Sequence, residues 1–479
     1  MFGSTQFTFL NSTHELPGAV DWNDPALEKL WLYNLHYFDD CAAVDAAARA
    51  SWQADLITRW INDNPPPRGN GWEPYPTSLR IVNWIKWALA GNAVPPGFQH
   101  SLAVQARWLA RRVEHHLLAN HLFVNAKALV SAGLYFDGVE AKRWREKGLA
   151  ILSRELAAQI LRDGGHYERS PMYHALVLED LLDLINAAQA WPGTVDERIV
   201  SGWRDIAERM QGWLQAMTHP DGQIAFFNDT AFGIAPPAVA LAQYATRLGN
   251  LAPAVAASLA DSGYIRAEVG AAVLIVDVAP VGPDHQPGHA HADTLSFELS
   301  LDGQRVFVNS GTSTYRPGAQ RRFERSTRAH NTVEIDGADS SEVWGGFRVA
   351  RRARPRNVSV TRLDNGICIR GAHDGYARLS GKPVHEREWR LEEGRLRITD
   401  RITGVFIQAV ARFYLHPAIA VQGDQGCVLP NGRECRWSIS GGAIDNQRTY
   451  WHPEFGLSKA NRCLEIVFSG NELVVDFVW

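Results

Sequence analysis

Short polar motifs lie far apart in this chain of 479 residues, and their side chains suit one kind of chemistry. Asn120 precedes a histidine, Tyr173 lies between a methionine and a histidine, and His289 opens the run His-Ala-His-Ala-Asp. An amide can neutralise a carboxylate, while a phenol and an imidazole can move a proton. The motifs therefore predict removal of a proton from the carbon next to a carboxylate.

Asn120 and Tyr173 also have ordinary structural interpretations. Asn120, beside His121, falls at a predicted junction between two helices, where asparagine often caps a helix. Tyr173 follows a Gly-Gly turn and Pro171, so we expect it near the first turn of a helix. The alternative for Tyr173 is a packed aromatic ring with a bonded hydroxyl.

The histidines around residue 290 suggest a metal site. His291 stands two residues after His289, and a strand would place both rings on one face. With Asp293 they resemble a metal-ligand cluster, and the alternative is a polar loop rich in histidine. His330, before a predicted strand, would add a nitrogen, and Asn309, at the end of another, would add an oxygen.

Four carboxylates form a rival set. Glu73, Glu168, Asp221 and Asp229 fall on turns of the predicted helical half, where an inverting hydrolase would carry its acid and base. No spacing pairs them, and surface or capping roles account for each one. An inverting glycoside hydrolase therefore stays open as an alternative.

The composition indicates a soluble globular protein with enough residues for two cores. The net charge of −4 argues against nucleic-acid binding through the field of the whole molecule. The 17 tryptophans are typical of either aromatic-lined sugar grooves or a large helical core. Two neighbouring stretches rich in arginine favour an anionic ligand, with a solvated surface as the alternative. They contain Arg321, Arg322, Arg325 and Arg328, then Arg348, Arg351, Arg352, Arg354 and Arg356.

Targeting and crosslinking signals are weak. The five cysteines show no CxxC spacing, so neither a disulfide framework nor a zinc ribbon is indicated. No stretch is long and apolar enough to predict a membrane span. The first residues, MFGSTQFTFLNST, lack the basic and apolar regions of a signal peptide, and their abrupt start leaves an upstream segment open.

Helical periodicity fills the first half of the chain, and turn signals separate the segments. Helices in hairpin order predict an α/α toroid, an incomplete barrel with its cleft at one rim. The predicted helices span about 25–60, 78–89, 98–118, 122–135, 141–161, 173–190, 195–217 and 237–259.

Short alternating runs fill the second half and predict an antiparallel β-sandwich. We therefore expect an α/α toroid domain over residues 1–260 and a sandwich domain over residues 261–479. The predicted strands are 272–278, 294–301, 305–309, 331–335, 357–363, 366–371, 384–391, 396–402, 409–415, 464–468 and 473–478.

Several strings resemble the heparinase II/III-like proteins, most closely polysaccharide lyase family 12, the heparinase III type. Each string is moderately specific, and their order and number make the resemblance strong from about residue 7 to residue 354. The strings are LWLYNLHYF at 30–38, WEPYPTSLR at 72–80, NH at 120–121, ERSPMYH at 168–174, GHAHAD at 288–293, NSGTSTY at 309–315 and RAHNTV at 328–333. Weaker support comes from HEREW at 385–389.

The resemblance implies a toroid followed by a sandwich, with an active site that cleaves uronic-acid polysaccharides by β-elimination. It implies that Asn120 neutralises the uronate carboxylate with assistance from His121. Tyr173 would act as base and acid where the C5 hydrogen and the C4 oxygen lie on the same side of the ring. His289 would be the second acid or base.

The resemblance also implies a divalent metal, most commonly zinc, in a structural role on His291, Asn309 and His330. Relatives usually have an aspartate at the position of Asn309, and an amide is a weaker zinc ligand than a carboxylate. Val124 stands where some heparinase II-type relatives carry an acidic residue. This departure argues against their dual-substrate mechanism.

The predicted function is a lyase that converts a heparosan- or heparan-like polymer, or a bacterial exopolysaccharide, into unsaturated uronate products. The alternatives are the hydrolase above and a non-catalytic polysaccharide-binding protein. The substrate class predicts a periplasmic or secreted location and an acidic polysaccharide as partner. The predicted substrate-binding residues are Trp72, Glu73, Tyr75, Arg80, Glu168, Arg169 and Arg328.

Overall fold

The computed structural model describes residues 5–254, 258–423 and 425–479. These form two compact units, called the helical unit (Met1–Gln159 with Glu179–Asp205) and the sandwich unit (Ile160–Leu178 with Ile206–Trp479). The predicted domain boundary at residue 260 stays a prediction. The secondary structure does change across it, because a helix ends at Arg247 and a strand begins at Tyr264.

Helices dominate the first half, as predicted. Helices α7 and α8 each contribute residues to both units. None of the helices in the described ranges is long and apolar enough to cross a membrane. The helices are α1 Lys29–Tyr37, α2 Ala50–Asp63, α3 Pro74–Leu89, α4 Phe98–Arg111, α5 Ala119–Tyr135, α6 Val139–Gln159, α7 Pro171–Ala190, α8 Glu197–Ala216, α9 Ala238–Arg247 and α10 Ala319–Arg325.

The first predicted helix, over 25–60, is wrong as a single element. Helix α1 ends at Tyr37, because the next residue, Phe38, has a left-handed φ of 63° that cannot continue a helix. Two short 3₁₀ turns follow before α2 begins at Ala50. Apolar periodicity alone does not register such a break, because the residues on both sides of it face the same core.

Tryptophans fill the core of the helical unit. Trp60 and Trp84 are fully buried and meet edge to face, and both belong to one apolar cluster with Trp72 and Trp87. Large aromatic rings that bury this much area contribute strongly to stability. For these residues the helical-core interpretation of the tryptophan count is therefore confirmed.

Among its described residues, the sandwich unit contains two antiparallel sheets with eight strands each. One has the order β10-β11-β12-β13-β20-β17-β16-β15, and the other has the order β18-β19-β14-β6-β5-β4-β3 with β7 on β14. Two small hairpins, β1 with β2 and β8 with β9, lie outside them. The strands are β1 Gln6–Phe9, β2 Ser12–Glu15, β3 Tyr264–Val269, β4 Ala272–Asp277, β5 Phe297–Leu301, β6 Gln304–Phe307, β7 Val333–Ile335, β8 Val343–Trp344, β9 Arg348–Val349, β10 Pro355–Leu363, β11 Gly366–His373, β12 Val384–Glu392, β13 Arg395–Thr403, β14 Ala409–Leu415, β15 Ala420–Gln422, β16 Gly426–Val428, β17 Glu434–Ser440, β18 Ala443–Trp451, β19 Lys459–Phe468 and β20 Glu472–Val478.

The facing sides of the two large sheets share one apolar core. Phe307 and Phe413 of one sheet contact Phe477 of the other, with ring centroids 4.7 and 5.4 Å apart, respectively. A buried ion pair of Arg387 with Asp400 lies in the same unit, and Arg387 also donates to backbone carbonyls. Strands that alternate inward and outward residues produce such a core.

Candidate active site

Tyr173 lies in the first turn of α7, as predicted. Pro171 opens the helix, and the Ser170 hydroxyl accepts a hydrogen bond from the Tyr173 amide at 3.2 Å. The same hydroxyl donates to the carbonyl of Asp229 at 2.5 Å. The start of this helix is thereby fixed to the segment that carries Asp229.

Tyr173, His289 and Tyr315 form one aromatic group in the sandwich unit. The rings of Tyr173 and His289 stack with centroids 3.9 Å apart and an interplanar angle of 28°. The Tyr173 hydroxyl lies 2.9 Å from the Tyr315 hydroxyl. Burial, reinforced by the charge of Asp229, raises the pKa of Tyr315 well above its usual value. Tyr315 therefore stays protonated and can donate to the Tyr173 oxygen.

Asp229 is the buried anion beneath this group. One of its oxygens lies 2.9 Å from His289 Nδ1, and the other lies 2.8 Å from His291 Nε2. Arg321 makes a bidentate pair with the same carboxylate. Burial would raise the pKa of Asp229, but Arg321 and the two histidines hold it well below its usual value.

His289 reaches solvent from this group, with 13% of its side chain exposed, and Tyr315 is partly exposed as well. Because Nδ1 contacts the Asp229 carboxylate, the ring has a fixed orientation. Its other nitrogen, Nε2, is then the atom that can exchange a proton with a substrate. This arrangement orients an imidazole for proton transfer in the way that a carboxylate–histidine pair does. The sequence predicts Asp229 as a hydrolase acid or base, with a surface or capping role as the alternative.

His291, His330 and Asn309 meet in the structure, but they form a chain. His291 Nδ1 lies 3.3 Å from His330 Nε2, and His330 Nδ1 lies 3.3 Å from Asn309 Oδ1. The two nitrogens of an imidazole point in opposite directions, so one ion cannot contact both. Zinc needs three or four ligands around one point. In this arrangement the three residues do not fit the zinc site that the resemblance implies.

The amide of Asn309 has a second partner that explains its presence. Its Nδ2 donates to the Phe226 carbonyl at 2.7 Å, while its Oδ1 accepts from the Asn331 amide at 3.2 Å. A carboxylate at this position could not donate to that carbonyl. Burial lowers the pKa of His291 to about 4, and burial together with His291 lowers the pKa of His330 well below its usual value. Both rings are thus neutral.

The segment that contains His289 and His291 is irregular, so the alternation of a strand does not set the directions of these two rings. The two rings nevertheless share the Asp229 carboxylate. Asp293 faces elsewhere and accepts from the Asn228 amide at 3.2 Å. Within the described ranges, no three His, Cys, Asp or Glu side chains form a group that could hold a metal ion.

Asn120 and His121 belong to the helical unit. Asn120 lies inside α5, after an N-cap at Leu118, so the capping interpretation is wrong. Its side chain is hydrogen-bonded to Tyr75, whose ring lies 4.4 Å from that of His121. His121 Nδ1 lies 3.2 Å from a carboxylate oxygen of Glu114. An amide, a phenol and a half-exposed imidazole are therefore held together here.

A cavity of about 330 Å³ lies in the helical unit near Glu73. Trp72, Trp108 and Arg112 also line it, which gives it aromatic and cationic walls. Glu73 accepts from Lys29 at 3.0 Å and from the hydroxyl of Tyr33. Trp72 and Glu73 thus line a cleft, and their role in substrate binding stays a prediction.

Three other predicted substrate-binding residues have partners within the protein, namely Arg80, Glu168 and Arg169. Arg80 is fully buried and donates to Gln105 and to the carbonyls of His36 and Gly71. Such a side chain supports the fold and does not reach a polymer.

Arg169, with a left-handed φ of 58°, donates to the carbonyls of Ser262 and Tyr167. Glu168 is 2% exposed and lies 3.8 Å from His166. Arg328, in contrast, is exposed and lies over the Phe323 ring. Among Arg169, Glu168 and Arg328, only Arg328 is positioned to meet a ligand from solvent.

The two arginine-rich stretches divide into internal and external groups. Arg321 and Arg325 are buried, and Arg325 donates to the carbonyl of Ala290. Arg351 pairs with Glu342, Arg352 and Arg354 pair with Asp284, and Arg356 pairs with Asp374. Many of these arginines therefore stabilise loops of the sandwich unit.

Comparisons with known proteins agree with the motifs. The model "Heparinase II/III N-terminus" matches residues 38–246, and "Heparinase II/III-like, C-terminal" matches residues 252–476. A heparin-sulfate lyase of Pedobacter heparinus is 24% identical over 264 residues, which cover 50% of this chain and 39% of that protein. The FtsZ-localized protein C of Caulobacter vibrioides is 26% identical over 452 residues, which cover 86% of this chain and 74% of that protein.

The fold is shared with a solved structure. The crystal structure of heparinase III superposes with a TM-score of 0.72 at 17% identity, covering 94% of this chain and 76% of that one. This likeness confirms the predicted α/α toroid followed by an antiparallel β-sandwich. The sequence matches to the heparin-sulfate lyases of Pedobacter heparinus and Bacteroides stercoris span 39% and 35% of those proteins.

Proposed function

Because the chain belongs to the heparinase II/III-like family of polysaccharide lyases, we propose that it cleaves a uronate-containing acidic polysaccharide by β-elimination. The observation that supports this most directly is the stacked pair of Tyr173 and His289 beside Tyr315. A phenol and an imidazole in contact supply two groups that exchange protons. We also propose a periplasmic or secreted location, which follows from this substrate class.

In the proposed reaction, the C5 proton of the uronate passes to a base and the C–H electrons form the C4=C5 double bond. The C4–O bond breaks, and its electrons leave with the oxygen of the departing sugar, which takes up a proton. Tyr173 provides the oxygen for these transfers, and the Tyr315 hydroxyl stabilises that oxygen while it carries negative charge. Asp229 and Arg321 fix His289 against the Tyr173 ring.

The roles that the resemblance implies for Asn120 and His121 remain predictions. Elimination develops negative charge on the uronate carboxylate, and an amide donor lowers the cost of that charge. No step of the proposed reaction passes through a metal.

The inverting hydrolase is less compatible with the structure. A hydrolase acid must hold a proton at neutral pH. Asp229 instead stays ionised in contact with Arg321 and two histidines. Glu168 is nearly fully buried beside His166.

A non-catalytic polysaccharide-binding role is the second candidate. The match to FtsZ-localized protein C covers more of this chain than the match to the Pedobacter lyase does. Under this reading the aromatic group would bind a sugar without turnover.

The experiment is incubation of the purified chain with a panel of uronate polymers, including unsulfated heparosan and heparan sulfate. We expect new ultraviolet absorbance from the unsaturated uronate together with new reducing ends. Reducing ends without that absorbance would establish hydrolysis, and binding without either signal would establish the non-catalytic role.

A further inference from the structure

A short hairpin beside the aromatic group presents two large apolar side chains to solvent. Strand β8 pairs with β9, and residues 345–347 form the turn between them. Trp344 is 57% exposed and Phe347 is 41% exposed. Exposed aromatic rings next to a functional site mark a binding surface more often than isolated surface residues do.

The pairing register shows which side chains of the hairpin share a face. Val343 lies opposite Val349, and Trp344 lies opposite Arg348. Side chains directly opposite in an antiparallel pair share one face. Val349 packs on the apolar cluster that contains Ala290, the residue between His289 and His291. Trp344 and the exposed Arg348 therefore share the face directed away from that cluster.

The hairpin is fixed to the residues beneath the aromatic group. Arg321, which holds Asp229, also donates through Nε to the Gly346 carbonyl at 3.0 Å. The Phe347 ring lies 5.2 Å from Tyr315 and 5.8 Å from His289, measured between centroids. A ligand on the hairpin is thus held at a defined distance from Tyr315 and His289.

Arg348 differs from the arginines that follow it. Arg351 and Arg352 are held by Glu342 and Asp284, and the ion pairs of the described chain do not include Arg348. A guanidinium on the same face as an indole suits a ligand with one flat apolar side and one anionic group. A uronate ring in a polysaccharide has this chemistry.

We propose that Trp344 and Arg348 form a subsite for one uronate ring of the polymer, next to the ring that is cleaved. The indole stacks on the apolar face of the sugar, and the guanidinium binds its carboxylate. This inference rests on the proposed function and adds a determinant of substrate choice to it. Trp344 and Arg348 bind and position the chain, and they take no part in proton transfer.

The test measures binding in the full chain carrying Tyr173→Phe, so that cleavage does not consume the ligand. The probe is an unsulfated heparosan hexasaccharide, titrated by calorimetry. In this background we expect Trp344→Ala and Arg348→Gln each to raise Kd about tenfold, the size of a lost stacking or ionic contact. The matched controls are the exposed Trp52→Ala and Arg362→Gln, which we expect to leave Kd unchanged.

A second probe separates the two contacts. With the carboxyl-reduced hexasaccharide, Arg348→Gln should no longer differ from the background, while Trp344→Ala should still weaken binding. An unchanged Kd in both variants with the first probe would overturn the subsite. A persistent effect of Arg348→Gln on the reduced probe would overturn the carboxylate assignment.

The two proposals fail in distinguishable ways. Binding or cleavage of uronate polymers that is insensitive to Trp344 and Arg348 would remove only the subsite. A wild-type chain that neither binds nor cleaves the panel would remove the proposed function and the subsite together. Circular dichroism of each variant verifies that the comparison is made between folded proteins.

Discussion

Each unit buries carboxylates beside a cation, yet only one of the two clusters carries a reactive side chain at its edge. In the helical unit, Lys127 donates to Asp180 and Asp183 at 2.6 and 2.5 Å, and Lys86 shares Asp183. In the sandwich unit, Arg321 holds Asp229, and Asp229 holds His289 against Tyr173.

The two clusters differ in the groups that contact their carboxylate oxygens. The acids around Lys127 are satisfied by lysines, so the charge is balanced within the helix core. Asp229 has one oxygen on His289, a ring that is partly exposed. Buried charge alone is therefore poor evidence of a site, and a charge that orients a solvent-facing imidazole is better evidence.

The largest effect is expected for Tyr173→Phe. Removing the hydroxyl takes away the proposed proton-transfer group, so the rate of uronate elimination should fall by about 10²–10⁴-fold. The fold should change little, because the aromatic ring and its stacking on His289 are kept while the bond to Tyr315 is lost. Initial rates of ultraviolet absorbance increase provide the measurement. Tyr450→Phe, at an exposed tyrosine, is the control and should retain the full rate.

Asp229→Asn should affect both stability and turnover. The neutral side chain leaves the buried Arg321 without its counter-ion, which costs about 3–5 kcal/mol in the free energy of unfolding. His289 loses its orienting anion, so kcat should fall while KM changes less. Urea denaturation and steady-state kinetics measure the two effects. A variant with wild-type kcat would show that Asp229 does not position His289.

Lys127→Met sharpens the contrast between the clusters. It leaves Asp180 and Asp183 with less compensation in a buried site, and we expect a loss of about 3–5 kcal/mol in unfolding free energy. The kcat of the folded fraction should remain that of the wild type. A selective loss of kcat at unchanged stability would place this cluster in the catalytic machinery.

Asn309→Asp examines the histidine chain next to Asp229. The substitution replaces the donor to the Phe226 carbonyl with an acceptor, which should lower the free energy of unfolding by about 1–3 kcal/mol.

For the wild type we expect substoichiometric zinc by elemental analysis and an unchanged Tm after chelation. One tightly bound zinc per chain, with a lower Tm on chelation, would contradict the chain arrangement of His291, His330 and Asn309.

Glu179 provides a smaller, pH-dependent effect in the helical unit. Burial raises the pKa of Glu179 to about 7, and this exceeds the opposing influence of Lys127. A raised pKa means that the folded state holds the proton more tightly, so stability should fall as the pH rises from about 4.5 to about 7. The expected loss is at most about 3 kcal/mol. Glu179→Gln should reduce this slope in denaturation curves measured across that range.

The sequence predicted the parts of the fold that follow from periodicity. Helices such as Phe98–Arg111 and strands such as Ala409–Leu415 repeat their apolar residues at a regular spacing. Strands Glu434–Ser440 and Ala443–Trp451 were missed, because more than half of their residues are exposed. The hairpin at Trp344 was missed because its strands are two residues long.

The candidate site was predictable where a motif holds the side chain and unpredictable where a contact spans the chain. Tyr173 and His289 were identified from local strings. Their contact with each other, and the bond from His289 to Asp229 across 60 residues, depend on tertiary packing. Arg321 was predicted to face an anionic ligand, and its anion is Asp229 within the protein.

The most direct test of β-elimination follows the oxygen atoms of the product. Cleavage of heparosan in water enriched in heavy oxygen, followed by mass spectrometry, separates elimination from hydrolysis. We predict oligosaccharides whose new non-reducing ends are unsaturated, lighter by one water than hydrolysis products and free of heavy oxygen incorporated at the cleaved bond. Saturated products that carry the heavy oxygen at that bond would contradict the account.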